Sequence, residues 1–114
     1  MDKTGKEIVL YAFTGGTDGG FPLGGLVRDG VGNLYGTTYV GGNATKCTGG
    51  CGVVFKLDTT GVETVLHSFT GGADGANPAT PLLLDSSGNL YGTALQGGTS
   101  CGNSGCGVVF KIAP

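Results

Sequence analysis

Cys51-Gly52-Val53-Val54-Phe55-Lys56 returns letter for letter as Cys106-Gly107-Val108-Val109-Phe110-Lys111. A recurring block of this length marks a chain built from copies of one unit. Displacing the sequence by one period, about 56 residues, lays Phe13-Thr14-Gly15-Gly16 on Phe69-Thr70-Gly71-Gly72, and Asp18-Gly19 on Asp74-Gly75. It also lays Gly32-Asn33-Leu34-Tyr35-Gly36-Thr37 on Gly88-Asn89-Leu90-Tyr91-Gly92-Thr93. The chain therefore reads as a single two-repeat unit, with repeat 1 at about 2–57 and repeat 2 at about 58–114.

Each period predicts four short strands and no helix, because no stretch carries a 3.6-residue apolar period with caps. Strand a covers 26–29 and is copied at 82–85. Strand b covers 34–39, copied at 90–95. Strand c covers 53–57, copied at 108–112. Strand d covers 64–69, and its copy is the N-terminal 8–13. The turns Asp29-x-x-Gly32-Asn33 and Asp58-Thr59-Thr60-Gly61 suit tight reversals, with Asp bonding the turn backbone and Gly or Asn accepting positive φ.

Four antiparallel strands at a fixed period describe one blade of a β-propeller, so the expected fold class is all-β with two four-stranded blades per chain. The apolar residues of strands a and c fall at adjacent positions, so both faces of each sheet call for burial. The strand order along the chain is d, a-b-c, d, a-b-c. It leaves 108–110 as a bare apolar edge and 8–13 as an outer strand without a blade. The expectation is head-to-tail self-association, with the N-terminal strand of one copy completing the last blade of its neighbour. Closure takes about 4–8 blades, hence a trimer of about six or a tetramer of about eight. The competing arrangement is a two-sheet sandwich whose N-terminal strand folds back on its own strand c.

Composition narrows the function. Gly (26) and Pro (4) are abundant, yet compact blocks such as Leu82-Leu83-Leu84 argue for turns between strands and against disorder. Charged residues are 12% with net charge −2, which leaves no basic patch for a nucleic acid. No apolar run is long enough to predict membrane insertion. The start, Met1-Asp2-Lys3-Thr4-Gly5-Lys6-Glu7, has no signal-peptide pattern and reads as an internal segment of a longer parent.

The run Asn33-Leu34-Tyr35-Gly36-Thr37, then Gly41-Gly42, Gly52-Val53-Val54-Phe55-Lys56-Leu57, and Thr64-Val65-Leu66-His67-Ser68-Phe69-Thr70-Gly71-Gly72, resembles the GloVer tandem repeat. Asp74-Gly75-Ala76-Asn77-Pro78 extends the likeness, which covers nearly the whole chain in two copies. The resemblance implies a propeller-like array from bacterial extracellular or surface-anchored proteins, with no catalytic residues to carry over. The first copy departs from the pattern at Phe21 and Gly24-Gly25, where the second has Asn77 and Thr80-Pro81.

Candidate chemistry lies in the two long Gly-rich loops, 14–25 and 41–52, which a blade places on one face with their copies. Cys47/Cys51 and Cys101/Cys106 favour two local disulfides, an oxidising compartment and an extracellular or cell-surface setting. Free thiols are the next reading. Zinc drawn from both pairs is the weakest, because the spacings are loose for a ribbon site. Asp18 and Asp74 could contact calcium or a sugar hydroxyl, but each stands alone, and a turn role is favoured. Phe21 and Tyr39 do not repeat and are the better candidates for something specific.

His67 is the only histidine, and its counterpart is Tyr11. Its neighbour Ser68 points to the other face, so no nucleophile–base pair forms. Arg28 stands where the copy has Leu84. The reading is a non-enzymatic structural or interaction module that needs no cofactor and has itself as partner. The alternative is a lectin-like propeller binding a glycan through Asn43, Thr45, Asp74, Asn77, Asn103 and Ser104. A third reading puts an active site elsewhere in the parent.

Overall fold

The computed structural model describes residues 7–102 and 105–114. Eight strands are formed: β1 (Val27–Arg28), β2 (Leu34–Thr38), β3 (Val53–Leu57), β4 (Glu63–Ser68), β5 (Ala76–Pro78), β6 (Leu83–Leu84), β7 (Leu90–Gln96) and β8 (Val108–Ile112). No described residue is helical. The first sheet runs β1-β2-β3-β4, all antiparallel, which is the a-b-c-d order of one blade. β3 pairs β4 with a register shift between Val54 and Phe55.

The second sheet centres on β7, which pairs β5 and β6 along one edge and β8 along the other. It is four-stranded in a different way from expectation. Its inner position is one strand broken into β5 and β6, and among the described residues no outer strand pairs β8. The first blade carries the same break in weaker form. Gly20 bridges Val40, and the Tyr39 N–H donates to the Phe21 carbonyl, before β1 resumes the ladder. Part of the supposed long loop 14–25 is therefore paired chain. The sequence hid this because Gly and Pro interrupt the apolar pattern there.

Aspartates hold the turns. Asp29 Oδ1 accepts from the N–H groups of Val31, Gly32 and Asn33, and its Oδ2 accepts from Asn33 Nδ2 and the Tyr35 hydroxyl. Asp85 repeats the arrangement with Ser87, Asn89 and Tyr91. Asp58 accepts from Thr60 and Val62. The Gly-rich loops lock backbone to backbone: Gly42 N–H donates to the Gly16 carbonyl, and Gly98 N–H to that of Gly72. A Cβ on Gly50 would collide with the Gly41 carbonyl, so only glycine permits that crossing.

The core lies between the blades. Tyr35, Cys51 and Val54 from the first meet Phe69, Ala76, Leu82 and Leu90 on the way to and within the second. The single-chain sandwich does not form, since residues 8–13 build no ladder with β8. They form no strand in the chain by itself.

Candidate functional site: the two open blade faces

One junction between blades is complete, and its parts are repeated at both ends of the chain. The first blade presents Val27, Tyr35, Cys51 and Val54 to the second. The same repeat positions on the second blade are Leu83, Tyr91, Cys106 and Val109. There Leu83 is 72% exposed and Val109 81%, whereas Val54 is fully buried. The other side of the junction is made by Leu66 from β4, Phe69 just beyond it, and Leu82 and Leu90 of the second blade. Their counterparts Leu10 and Leu26 are 60% and 56% exposed. Leu34 and Phe13 are half-buried.

The N-terminal segment already lies where strand d lies in the complete junction. Phe13 sits edge-on to Phe55 with ring centroids 5.0 Å apart, as Phe69 sits on Phe110 at 5.1 Å. The Tyr11 hydroxyl donates to Asp18 at 2.7 Å, and His67 Nε2 meets Asp74 at 2.9 Å. Between this segment and the first blade is a cavity of about 410 Å³, lined by Leu10, Phe13, Leu26, Leu34, Phe55 and Leu57. The equivalent six side chains, Leu66 and Phe69 from the end of the first blade and four from the second, pack into the core shared with Tyr35 and Val54. The cavity is thus the place that a Val54-like and a Tyr35-like side chain would occupy.

Two polar atoms in the lining, Thr37 Oγ1 and Glu63 Oε2, are buried with no hydrogen-bond partner among the described residues. Burial, then the nearby Asp18 carboxylate, pushes the Glu63 carboxyl up. The copied threonine, Thr93, bonds Thr80 at 2.8 Å. Gly24 stands at Thr80's position and cannot do the same for Thr37.

The remaining sequence candidates do other work. Asp18 and Asp74 close their turns by accepting from the backbone and hydroxyl of Thr14 and Thr70. Asn77 is buried, and it donates from its N–H to the Cys51 carbonyl at 2.7 Å and from Nδ2 to the Tyr39 carbonyl at 2.8 Å. It is a blade-to-blade bolt, which the spacing alone did not reveal. Asn43 is exposed, and its N–H donates to Ser68 Oγ. Phe21 is 68% exposed. Arg28 is exposed on the open face of the first blade. Asn103 and Ser104 lie outside the described residues. Of the tyrosines of the repeated motif, Tyr35 is a core residue and Tyr91 is half-buried, and their hydroxyls tie to Asp29 and Asp85, a link the Asp-to-Tyr spacing could have signalled.

Both cysteine pairs form disulfides, Cys47–Cys51 and Cys101–Cys106, with Cα atoms 5.1 and 5.3 Å apart. Cys51 is fully buried at the junction, and a Cβ on Gly71 would lie 3.0 Å from its sulfur. Cys101 and Cys106 are exposed, and Gly15, which matches Gly71, has open space around it.

Hydrogen bonds set the titration of the turns. The Thr14 hydroxyl lowers Asp18, the Asn33 amide Asp29, the Thr60 hydroxyl Asp58, and the Asn89 N–H Asp85. Burial works to raise Asp74, but bonds from Thr70 and His67 outweigh it and hold it low. The Tyr11 phenol is pushed up to about 12 by its bond to Asp18. A carboxyl lowered by folding stabilises the fold above its unfolded value, 3.8 for Asp, and loses that contribution as pH falls through the folded value. Glu63 has the opposite sign: its contribution is present below 4.5 and lost as pH rises. Five aspartates outweigh one glutamate. The expected melting temperature falls below about pH 4, as measured by circular dichroism across a buffer series.

A family model described as the Gloeobacter/Verrucomicrobia repeat matches residues 1–114. No curated protein and no solved structure matches the chain.

Proposed function

Because the chain belongs to the Gloeobacter/Verrucomicrobia repeat family, a family of repeated units, we propose that it is a non-enzymatic structural module whose blades add head-to-tail into a closed β-propeller. The 114-residue chain does so by self-association. The observation that carries this reading is the pairing of open faces. What the second blade exposes copies what the first blade buries, and what the first blade exposes copies what the second buries. An exposed apolar edge at one end of the chain and an apolar cavity at the other are also a poor end state for a protein surface.

Transferring the β3–β4 register gives the expected ladder. Val108 of one copy pairs Ala12 of the next, Val109 pairs Tyr11, Phe110 pairs Val9, Lys111 pairs Ile8, and Ile112 pairs Glu7. The contact is heterologous and closes into a ring of three or four copies, or about six to eight blades. The disulfides and the family favour a bacterial, oxidising, extracellular setting. Light scattering or sedimentation of the purified chain tests the reading. The expected mass is that of three or four copies, and a monomer at all concentrations overturns it.

A further inference from the structure

Phe21 has a backbone the fold does not require of a phenylalanine. Its φ is 54°, in the left-handed region, where a bulky side chain is a rare occupant. Its counterpart Asn77 has φ 57°, so the backbone path is the same in both repeats. Asparagine tolerates that conformation. There it also bolts the blades, through the Cys51 and Tyr39 carbonyls. Phe21 occupies the bolt position on the open face and is 68% exposed. The residue matching Tyr39, on the other open face, is Leu95, which is 55% exposed. Phe21 has no side-chain amide to donate as Asn77 Nδ2 does, and the two repeat positions instead carry an exposed apolar side chain at each end of the chain.

We propose that Phe21 of one copy packs on Leu95 of a second copy, and that this pair is the specificity contact of the junction between chains. The inference rests on the head-to-tail reading above and names its selecting residues. Continuity with the junction inside the chain brings the two positions together. The junction between chains has an apolar side-chain pair where the internal one has the Asn77 side-chain hydrogen bond, so the two kinds of junction are chemically distinct. Repeats one and two then alternate around the ring, and copies add in one direction only. The strained backbone at Phe21 is offset by the ring buried on assembly.

Dissociation constants from sedimentation at serial dilution test this, for the native chain, Phe21→Ala, Leu95→Ala and the double variant. Each single change is expected to weaken assembly about tenfold or more. The double variant is expected to fall within about twofold of the weaker single. Unchanged constants, or fully additive losses, overturn the contact while leaving head-to-tail assembly standing. A native chain that never assembles overturns both. Phe21→Gly separates docking from local support, because glycine relieves the positive φ. Its melting temperature, read below the assembly concentration, is expected to rise while assembly weakens as in Phe21→Ala. A fall in both would mean that Phe21 only props its loop, and would overturn the proposal.

Discussion

Val54→Asp is expected to unfold the chain, and Val109→Asp to leave it folded and monomeric. The two valines hold the same place in the same repeated motif, yet Val54 is fully buried and Val109 is 81% exposed. A carboxylate at Val54 would lie among Tyr35, Phe69, Leu82 and Leu90, and His67, opposite it on β4, is already bonded to Asp74. An unpaired buried charge costs several kcal/mol, on the order of the ~5–15 kcal/mol that holds a small domain together. At Val109 the charge stays in water, so the fold keeps its melting temperature. What is lost is the docking of that face into the cavity beside Leu26 and Phe55. Circular dichroism and light scattering on the two variants check both halves. A Val109→Asp protein that still assembles would show that this face is not the one used.

Phe69→Ala is expected to destabilise the chain by about 3–5 kcal/mol, as for other buried aromatics cut to alanine. Phe69 is 1% exposed and holds His67 on one side and Phe110 on the other, each edge-on. It also joins the end of β4 to the start of the second blade, so its removal opens the one complete junction among the described residues. Phe13→Ala removes the matching ring from Phe55. Phe13 is half-buried on a segment with no strand partner, and its loss is expected to cost about 1 kcal/mol in the free chain. Urea unfolding of both variants below the assembly concentration gives the comparison. Equal losses would mean that residues 8–13 are as firmly seated as β4.

Strands b, c and d, their turns and the two-copy plan were legible because each depends on neighbours in sequence. Val53-Val54-Phe55 alternates with glycine-marked turns, and Asp29 or Asp58 closes a turn with the residues just after it. The split inner strand was not legible. β6 lies inside the expected strand a at 82–85, but β5 is too short and too interrupted by proline to leave an apolar pattern, and it exists because β7 offers it an edge.

The Asn77 bolt was likewise out of reach, since its acceptors lie 26 and 38 residues away in the other blade. Sequence by itself determined the unit, its strands and its family likeness, since repetition and turn chemistry are written in the order of residues. Tertiary structure alone decided which copy of each repeated residue is hidden. Burial belongs to a side chain's surroundings, and the two copies have a neighbouring blade on opposite sides.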